Sequence, residues 1–211
     1  MTVNRWDERY RGEDYLFGRE PNVFLKREAH RFARGGSVLA LADGEGRNGV
    51  FLAGLGLAVH AVDASSVALE KSARLAAEAG VEIRLELADL ADWSWPRDAY
   101  DHVVAIFIQF ADPALRARLF EGMKRAVKPG GLVLLQGYRP EQVDLGTGGP
   151  PQRENMYTRD LLVDAFGDFD ILHLEEHDST LREGRAHSGP SALIDLVARR
   201  PHGDTPKDPR S

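Results

Sequence analysis

Cysteine is absent from the 211 residues, which excludes disulfides, thiolate metal sites and a cysteine nucleophile by composition alone. Long apolar runs are absent too. None approaches the ~20 residues that cross a bilayer, and Met1 to Asp14 is polar and charged where an exported chain would carry an apolar leader. A soluble, cytoplasmic protein without a membrane partner is expected. Excess positive charge is a third absence: the formal net charge is -6, and no clustered basic face is visible, so nucleic acid is not an expected partner. The histidines do not fall at metal-ligand spacing with carboxylates, so no metal is expected. No internal repeat is visible, and the quaternary state cannot be read. What is present, 43% apolar and 28% charged residues, suits one globular domain over residues 1–199 that takes a small-molecule substrate.

Strand and helix patterns alternate. Strands are expected at Ser37 to Leu41, Ala58 to Asp63, Glu82 to Leu87, Tyr100 to Phe107 and Leu132 to Gln136. Helices are expected from about Arg47 to Gly54, over Ser66 to Ala79, after Asp112-Pro113, and from Thr158 to Phe166. Phe169 to Leu174 and Ala192 to Ala198 close the count at seven strands. The fold class is α/β, a doubly wound, mostly parallel sheet of Rossmann-like outline with an antiparallel last strand. The second helix is expected to bury Leu69, Ala73 and Ala76 and to expose Lys71, Arg74 and Glu78. The loop Asp178 to Gly189 is expected at the carboxyl edge of the sheet, where ligands bind. Residues 1–30 read as an N-terminal lid segment, Gln142 to Arg153 as a Gly/Pro-rich insertion, and 200–211 as a disordered tail.

The most informative stretch is Asp43-Gly44-Glu45-Gly46-Arg47-Asn48-Gly49, between a strand and a helix, with Asp63 ending the next strand. A strand that turns directly into a helix needs residues free to adopt unusual dihedrals and to leave room for a ligand. Asp63 is then placed to accept hydrogen bonds from ribose hydroxyls. The glycine spacing also satisfies the dinucleotide pattern, a weak match by itself. Charge ranks the two readings. A pyrophosphate seeks bare N–H groups at a helix start and is repelled by carboxylates there. Asp43 and Glu45 flank Gly44, and they suit the sulfonium and ammonium of S-adenosylmethionine better than the phosphates of NAD.

These residues, with Trp6-Asp7-Glu8-Arg9-Tyr10, Tyr15-Leu16-Phe17-Gly18, Glu20-Pro21-Asn22, Ala88-Asp89-Leu90, Lys128-Pro129-Gly130-Gly131 and Glu183-Gly184-Arg185-Ala186-His187-Ser188-Gly189, carry a resemblance. The chain resembles class I S-adenosylmethionine-dependent methyltransferases, in particular small bacterial proteins of the tellurite-resistance and thiopurine methyltransferase-like group. The resemblance implies S-adenosylmethionine as cofactor, with Tyr15, Asp43 and the Gly44, Glu45, Gly46, Arg47 and Asn48 stretch at its methionine part and Arg47 pairing with its carboxylate. It implies Asp63 on the ribose, Asp89 and the Leu90 N–H on the adenine edge, Ala64 against the ring, and Ile106 and Phe107 beside the reactive methyl. Ala40 and Ala42 depart from the acid and glycine that many relatives have, and Asp43 is the candidate to compensate.

Methyl transfer needs alignment and desolvation more than strong acid-base chemistry. Substrate-side candidates are Tyr10, Tyr15, Phe107, Gln109, Tyr138, Arg185 and His187, with His187, Arg185 and Tyr138 as the catalytic set. An ordinary imidazole pKa of about 6.5 would let His187 take a proton from a thiol, amine or hydroxyl. Plainer readings stand beside these. Gly44 and Gly46 could make a tight turn without a ligand, Asp63 could cap a helix and Asp89 end a strand. His187 could bond a neighbouring backbone, and Arg185 and Glu183 could pair on the surface. Rival functions are an NAD-dependent oxidoreductase, which would commonly carry a Tyr-x-x-x-Lys pair that no tyrosine here has, and a non-catalytic S-adenosylmethionine-binding protein.

Overall fold

The computed structural model describes residues 3–202, and of Val3 and Asn4 only the backbone. Helices are α1 (Val3–Tyr10), α2 (Val23–Glu28), α3 (Arg47–Gly54), α4 (Ser66–Ala79), α5 (Pro113–Ala126), α6 (Gln142–Leu145) and α7 (Arg159–Phe166). Strands are β1 (Ser37–Leu41), β2 (Ala58–Asp63), β3 (Arg84–Leu87), β4 (Tyr100–Ile106), β5 (Val127–Tyr138), β6 (Asp170–Glu183) and β7 (His187–Arg199). They form one sheet in the order β3-β2-β1-β4-β5-β7-β6. The first five are parallel, and β7 is antiparallel to both β5 and β6. The expected fold class is the observed one.

Side chains alternate across the central strands, so each strand feeds both cores. Leu39, Leu41, Val62, Val103 and Ala105 pack with Leu119, Met123, Leu162 and Phe166 on one face. Val38, Ala40, Val59, Ala61 and Val104 pack with Phe24, Leu25 and Leu52 on the other. Ala40 is buried in that second core. Three helices start on side-chain caps: Ser65 accepts from Ala68 N–H, Asp112 from Leu115 N–H and Thr158 from Leu161 N–H.

Four expectations change. On α4, Ala73 is exposed and Lys71 is buried, because the chain ahead of β1 lies over that face and its Asp14 carbonyl, with Glu45 of the loop after β1, partners the ammonium. The stretch expected to loop between Asp178 and Gly189 is mostly strand, and β6 pairs with β7 as far as Glu183 and His187. Residues 187–192 run on past Tyr138, the last residue of β5 to pair, so the hairpin overhangs the carboxyl edge of the sheet. Lys128 to Gly131 joins β5 at a register shift instead of only stopping α5. Arg200, assigned to the tail, is docked: its backbone bonds Gly130 and Gly131 and its guanidinium bonds Val127 O at 2.6 Å. Residues 203–211, the rest of the expected tail, lie outside the described residues. No helix among the described residues is long and apolar enough to cross a membrane.

Candidate active site

β1 ends at Leu41, and the chain must turn within a few residues to start α3. Gly44 (φ 60) and Gly46 (φ 89) take left-handed conformations there, and so does Ala42 (φ 46), which has a Cβ and is strained by it. The two glycines serve different ends. A Cβ on Gly44 would meet the Tyr10 hydroxyl at 2.9 Å, within the cavity. A Cβ on Gly46 would run into Ser72 of α4, whose Cβ and Cα lie 2.8 and 2.9 Å away. Gly46, expected at the cofactor, does not line the cavity and instead lets α3 and α4 close on each other.

The side chains of this loop are largely engaged by the protein itself. Both oxygens of Asp43 lie 3.2 Å from the Gly49 N–H, where they close the helix start that Gly46 leaves uncapped. Its carboxylate thus occupies the place a pyrophosphate would take. Burial and the neighbouring Asp63 push the Asp43 carboxyl up to about 7, against the Gly49 N–H and Arg47, which lower it. Glu45 accepts from Leu16 N–H at 2.7 Å and from Lys71 Nζ at 2.7 Å, so its charge is neutralised within the fold. Arg47 pairs with Glu183 at 2.7 Å and donates to Phe17 O at 3.2 Å. Asn48 accepts from Asn22 N–H at 2.9 Å. Glu45, Arg47 and Asn48 border the cavity, but their polar atoms tie the loop to the segment before α2 and to the hairpin. The expected Arg47 salt bridge to a methionine carboxylate has a competitor already in place, and the surface pairing of Glu183 with Arg185 is overturned by this buried one.

The cavity, about 340 Å³, lies within the ~300–1,000 Å³ typical of small-molecule sites. One wall comes from the carboxyl ends of β1, β2, β3 and β4: Ala42, Asp43, Gly44, Asp63, Ala64, Asp89, Leu90 and Ile106 all line it, with Phe107 at its border. Asp63 is held by Gly44 N–H at 2.8 Å on one oxygen and Ser65 N–H at 2.9 Å on the other, leaving further lone pairs toward the cavity. Burial pushes its carboxyl up to about 6 although backbone N–H groups stabilise its charge. Asp89 accepts from Ala91 N–H at 2.9 Å on one oxygen, and no protein donor among the described residues bonds the other. A buried carboxylate at Asp63, half-buried ones at Asp43 and Asp89, an approachable glycine backbone and the absence of a phosphate seat make this wall fit an adenosyl sulfonium.

The opposite wall is aromatic. Phe107, itself strained at φ 57, stacks on Tyr138 at 4.6 Å between ring centres and meets the His187 ring edge-on at 4.5 Å. Phe17 lies 4.5 Å from His187 on its other side, and Trp6 and Tyr10 of α1 cover the top. His187 is buried, and its Nδ1 has no hydrogen-bond partner among the described residues. Burial, followed by the charges of Arg47 and Arg9, pulls its pKa down to about 3, so the imidazole is neutral at every working pH. The Tyr138 hydroxyl is likewise buried and unpartnered among the described residues, with burial pushing its pKa well up.

Two substrate-side candidates lie elsewhere, and a third, Gln109, lines the cavity with its amide already engaged. Tyr15 does not line the cavity; its hydroxyl donates to Lys71 O at 3.2 Å. Arg185 is exposed at the hairpin tip and does not line the cavity. The Gln109 amide is consumed by the Tyr138 backbone, donating to its carbonyl at 2.8 Å and accepting from its N–H at 2.6 Å. Phe110 and the Gly148 to Gln152 loop line the cavity without having been singled out as site residues. Among the described residues the one acid and histidine group with metal-like clustering is His173, Glu175 and Asp195. The Arg27 guanidinium already reaches all three, at 3.2, 3.9 and 3.1 Å, the polar contacts that fill it.

Comparison with known proteins agrees with this geometry. Residues 38–131 match a family profile whose description is a methyltransferase domain. No curated protein matches the chain. Among solved structures, a protein from work on the conversion of a disulfide bond into a thioacetal group during echinomycin biosynthesis is 22% identical. It has a TM-score of 0.74, with 96% of this chain and 94% of that one covered. TehB from Haemophilus influenzae is 18% identical with a TM-score of 0.69, over 94% of this chain and 66% of its own. Magnesium protoporphyrin IX methyltransferase from Synechocystis PCC 6803, solved with bound S-adenosylhomocysteine, is 17% identical with a TM-score of 0.64, over 84% of this chain and 80% of its own. At these identities the structural likeness is one of fold.

Proposed function

We propose, for a chain that carries a class I S-adenosylmethionine-dependent methyltransferase domain, that it methylates a soft small-molecule nucleophile, a thiolate or related chalcogen centre, needing no base from the protein. The observation that carries this reading is the setting of His187, buried against Phe17, Phe107 and Tyr138 with no hydrogen-bond partner for its Nδ1 among the described residues. With its pKa near 3 the imidazole is a poor proton acceptor at neutral pH, and the Tyr138 phenol holds its proton more tightly than usual. Other carboxylates near that wall are committed: Glu183 to Arg47 and Glu45 to Lys71. An alcohol or ammonium acceptor would have to shed a proton with no free base on the aromatic wall, since Asp43 and Asp63, though raised to about 7 and about 6, stand on the other wall and hold backbone N–H groups. A thiol, ionising in water near pH 8.5, arrives with a usable fraction already deprotonated.

When bound, S-adenosylmethionine supplies an electrophilic methyl and a thioether leaving group. The protein's part is to hold, align and dry the pair. Asp63 would hold the ribose and Asp89 with the Leu90 N–H the adenine edge, while Gly44 leaves room for the methionine part. Phe17, Phe107, Tyr138 and His187 give a polarisable wall suited to sulfur. The Nδ1 of His187 and the Tyr138 hydroxyl, buried without partners, are available to orient an acceptor by hydrogen bonds. The structural neighbour named for converting a disulfide into a thioacetal is itself concerned with sulfur, which favours the same class.

The test is release of S-adenosylhomocysteine with thiophenol, phenol and aniline offered across pH 6 to 9. Thiophenol should be turned over and phenol should not, with a pH profile that follows the ionisation of the thiol itself and is the same in wild type and His187→Ala. Equal turnover of phenol, or a basic limb near pH 6.5 that His187→Ala removes, would overturn the base-free reading.

A further inference from the structure

We propose that Glu183 is a positioning residue for methyl transfer: by joining Arg47 to Asn22 it fixes the hairpin wall that carries His187 against the glycine loop. The inference rests on the reaction proposed above. Glu183 ends β6 and is the register partner of His187, which begins β7. Paired residues across an antiparallel ladder share a face, so the placement of one constrains the other. The Glu183 carboxylate is 6% exposed. It takes Arg47 Nη2 at 2.7 Å on one oxygen, and Asn22 Nδ2 at 3.0 Å and Val23 N–H at 3.3 Å on the other.

The same joint is closed from its other side. Leu16 gives its N–H to Glu45 of the glycine loop at 2.7 Å, while its carbonyl accepts Arg185 N–H of the hairpin at 2.9 Å. Arg47 reaches Phe17 O at 3.2 Å. A single short segment, Leu16 and Phe17, is therefore held between donor loop and acceptor hairpin, with a buried glutamate on each side. A buried ion pair is a weak device for stability, since desolvation offsets most of its attraction. Several N–H groups converging on one carboxylate do, however, define a single position for it.

The experiment compares wild type with Glu183→Gln, which keeps the shape and removes the charge. The readouts are calorimetric titration with S-adenosylhomocysteine, nitrogen NMR of the His187 ring, and thiophenol turnover. S-adenosylhomocysteine affinity should hold or rise, because Arg47 is released from Glu183, while kcat/KM for thiophenol falls at least ~10-fold, the scale of losing one charged hydrogen bond that sets alignment. The His187 ring signals should shift or split. Turnover within about threefold of wild type, donor affinity falling in step with turnover, or unchanged ring signals would each overturn the assignment. Should Glu183→Gln fail to fold, Glu183→Asp retains the charge one methylene short, and wild-type turnover in that variant would overturn it as well. If wild type does not methylate thiophenol, the acceptor class fails by itself, and the ring signals and donor titration still decide the role of Glu183.

Discussion

The two walls of the cavity are built on different plans. Ala42, Gly44, Asp63, Ala64, Asp89 and Leu90 come from successive strand ends, whereas Trp6, Phe17, Tyr138, Gly149 and His187 come from separate parts of the chain. In a parallel sheet every strand delivers its carboxyl end to one edge, so a donor wall can be encoded by short local patterns. The facing wall depends on where α1, the α6 loop and the overhanging hairpin meet. The methyltransferase profile ends at residue 131, so it takes in the first wall and stops before Tyr138, Gly149 and His187. Under the proposed function the first wall holds the donor and the second the acceptor, a division this construction allows.

The largest test sets Gly46 against Gly44. A methyl at Gly46 meets Ser72 of α4, Cα included, so neither a rotamer change nor a small shift relieves it. Gly46→Ala should cost roughly 3 kcal/mol or more of unfolding free energy, read by denaturant titration. Gly44→Ala, facing only the movable Tyr10 hydroxyl, should cost less stability and more affinity for S-adenosylhomocysteine. The reverse order would mean that the loop glycines have been assigned to the wrong neighbours.

Asp63 and His187 carry the same comparison into function. Asp63→Ala should weaken S-adenosylhomocysteine binding by ~2 kcal/mol, roughly thirtyfold, by calorimetry. His187→Ala should leave that affinity within about twofold and lower turnover instead, because the ring stands on the facing wall. Equal loss of donor affinity in both variants would erase the distinction between walls.

Legibility in the sequence follows the same line. The strand pattern, the caps at Ser65, Asp112 and Thr158, and Asp63 beside Gly44 are local or recur at fixed offsets, and each is found where periodicity and turn chemistry put it. Lys71 was misjudged because a lysine among polar residues at helical spacing reads as solvated. Only the fold brings Glu45 and the Asp14 carbonyl onto its ammonium. Glu45 and Arg47 read as ligand contacts because motif chemistry says nothing of Leu16 and Glu183, 29 residues before the first and far beyond the second in the chain. Gln109 looked like a substrate group and is a backbone clamp for Tyr138. The pKa of His187 could not be read at all, since it depends on burial and on arginines from two other segments.

A third comparison uses acid, because buried titratable groups at the two ends of the sheet respond in opposite senses. His102, on β4 near the edge away from the cavity, is buried against Phe32 with neither ring nitrogen partnered among the described residues. Burial, with Lys128 adding to it and Asp101 opposing, pulls its pKa down to about 4. The unfolded chain then binds a proton near pH 6.5 that the folded chain refuses, so stability falls as pH drops from about 6.5 toward 4. Asp43 and Asp63, raised to about 7 and about 6, work the other way. The folded chain keeps protons that the unfolded chain releases above about 4, and that contribution is lost as pH rises through their folded values. His102→Phe should therefore gain ~2 kcal/mol on wild type at pH 5 relative to pH 7.5, by denaturant titration at both. A pH-independent difference would show that His102 accepts its proton in place.

The smallest expected effect bears on the cost of the donor wall. Ala42 sits at φ 46 where β1 gives way to the glycine loop, and its Cβ penalises that conformation by ~1 kcal/mol, of which a glycine would recover a part after its own chain entropy. Ala42→Gly should thus stabilise the fold by roughly 0.5–1 kcal/mol, a Tm gain of a few degrees. Because Ala42 also lines the cavity, the variant asks whether its methyl contributes to donor affinity. If S-adenosylhomocysteine binds the variant as tightly as wild type, the strain at Ala42 serves no donor contact. If affinity falls while stability rises, strain on the first wall is held in place for binding.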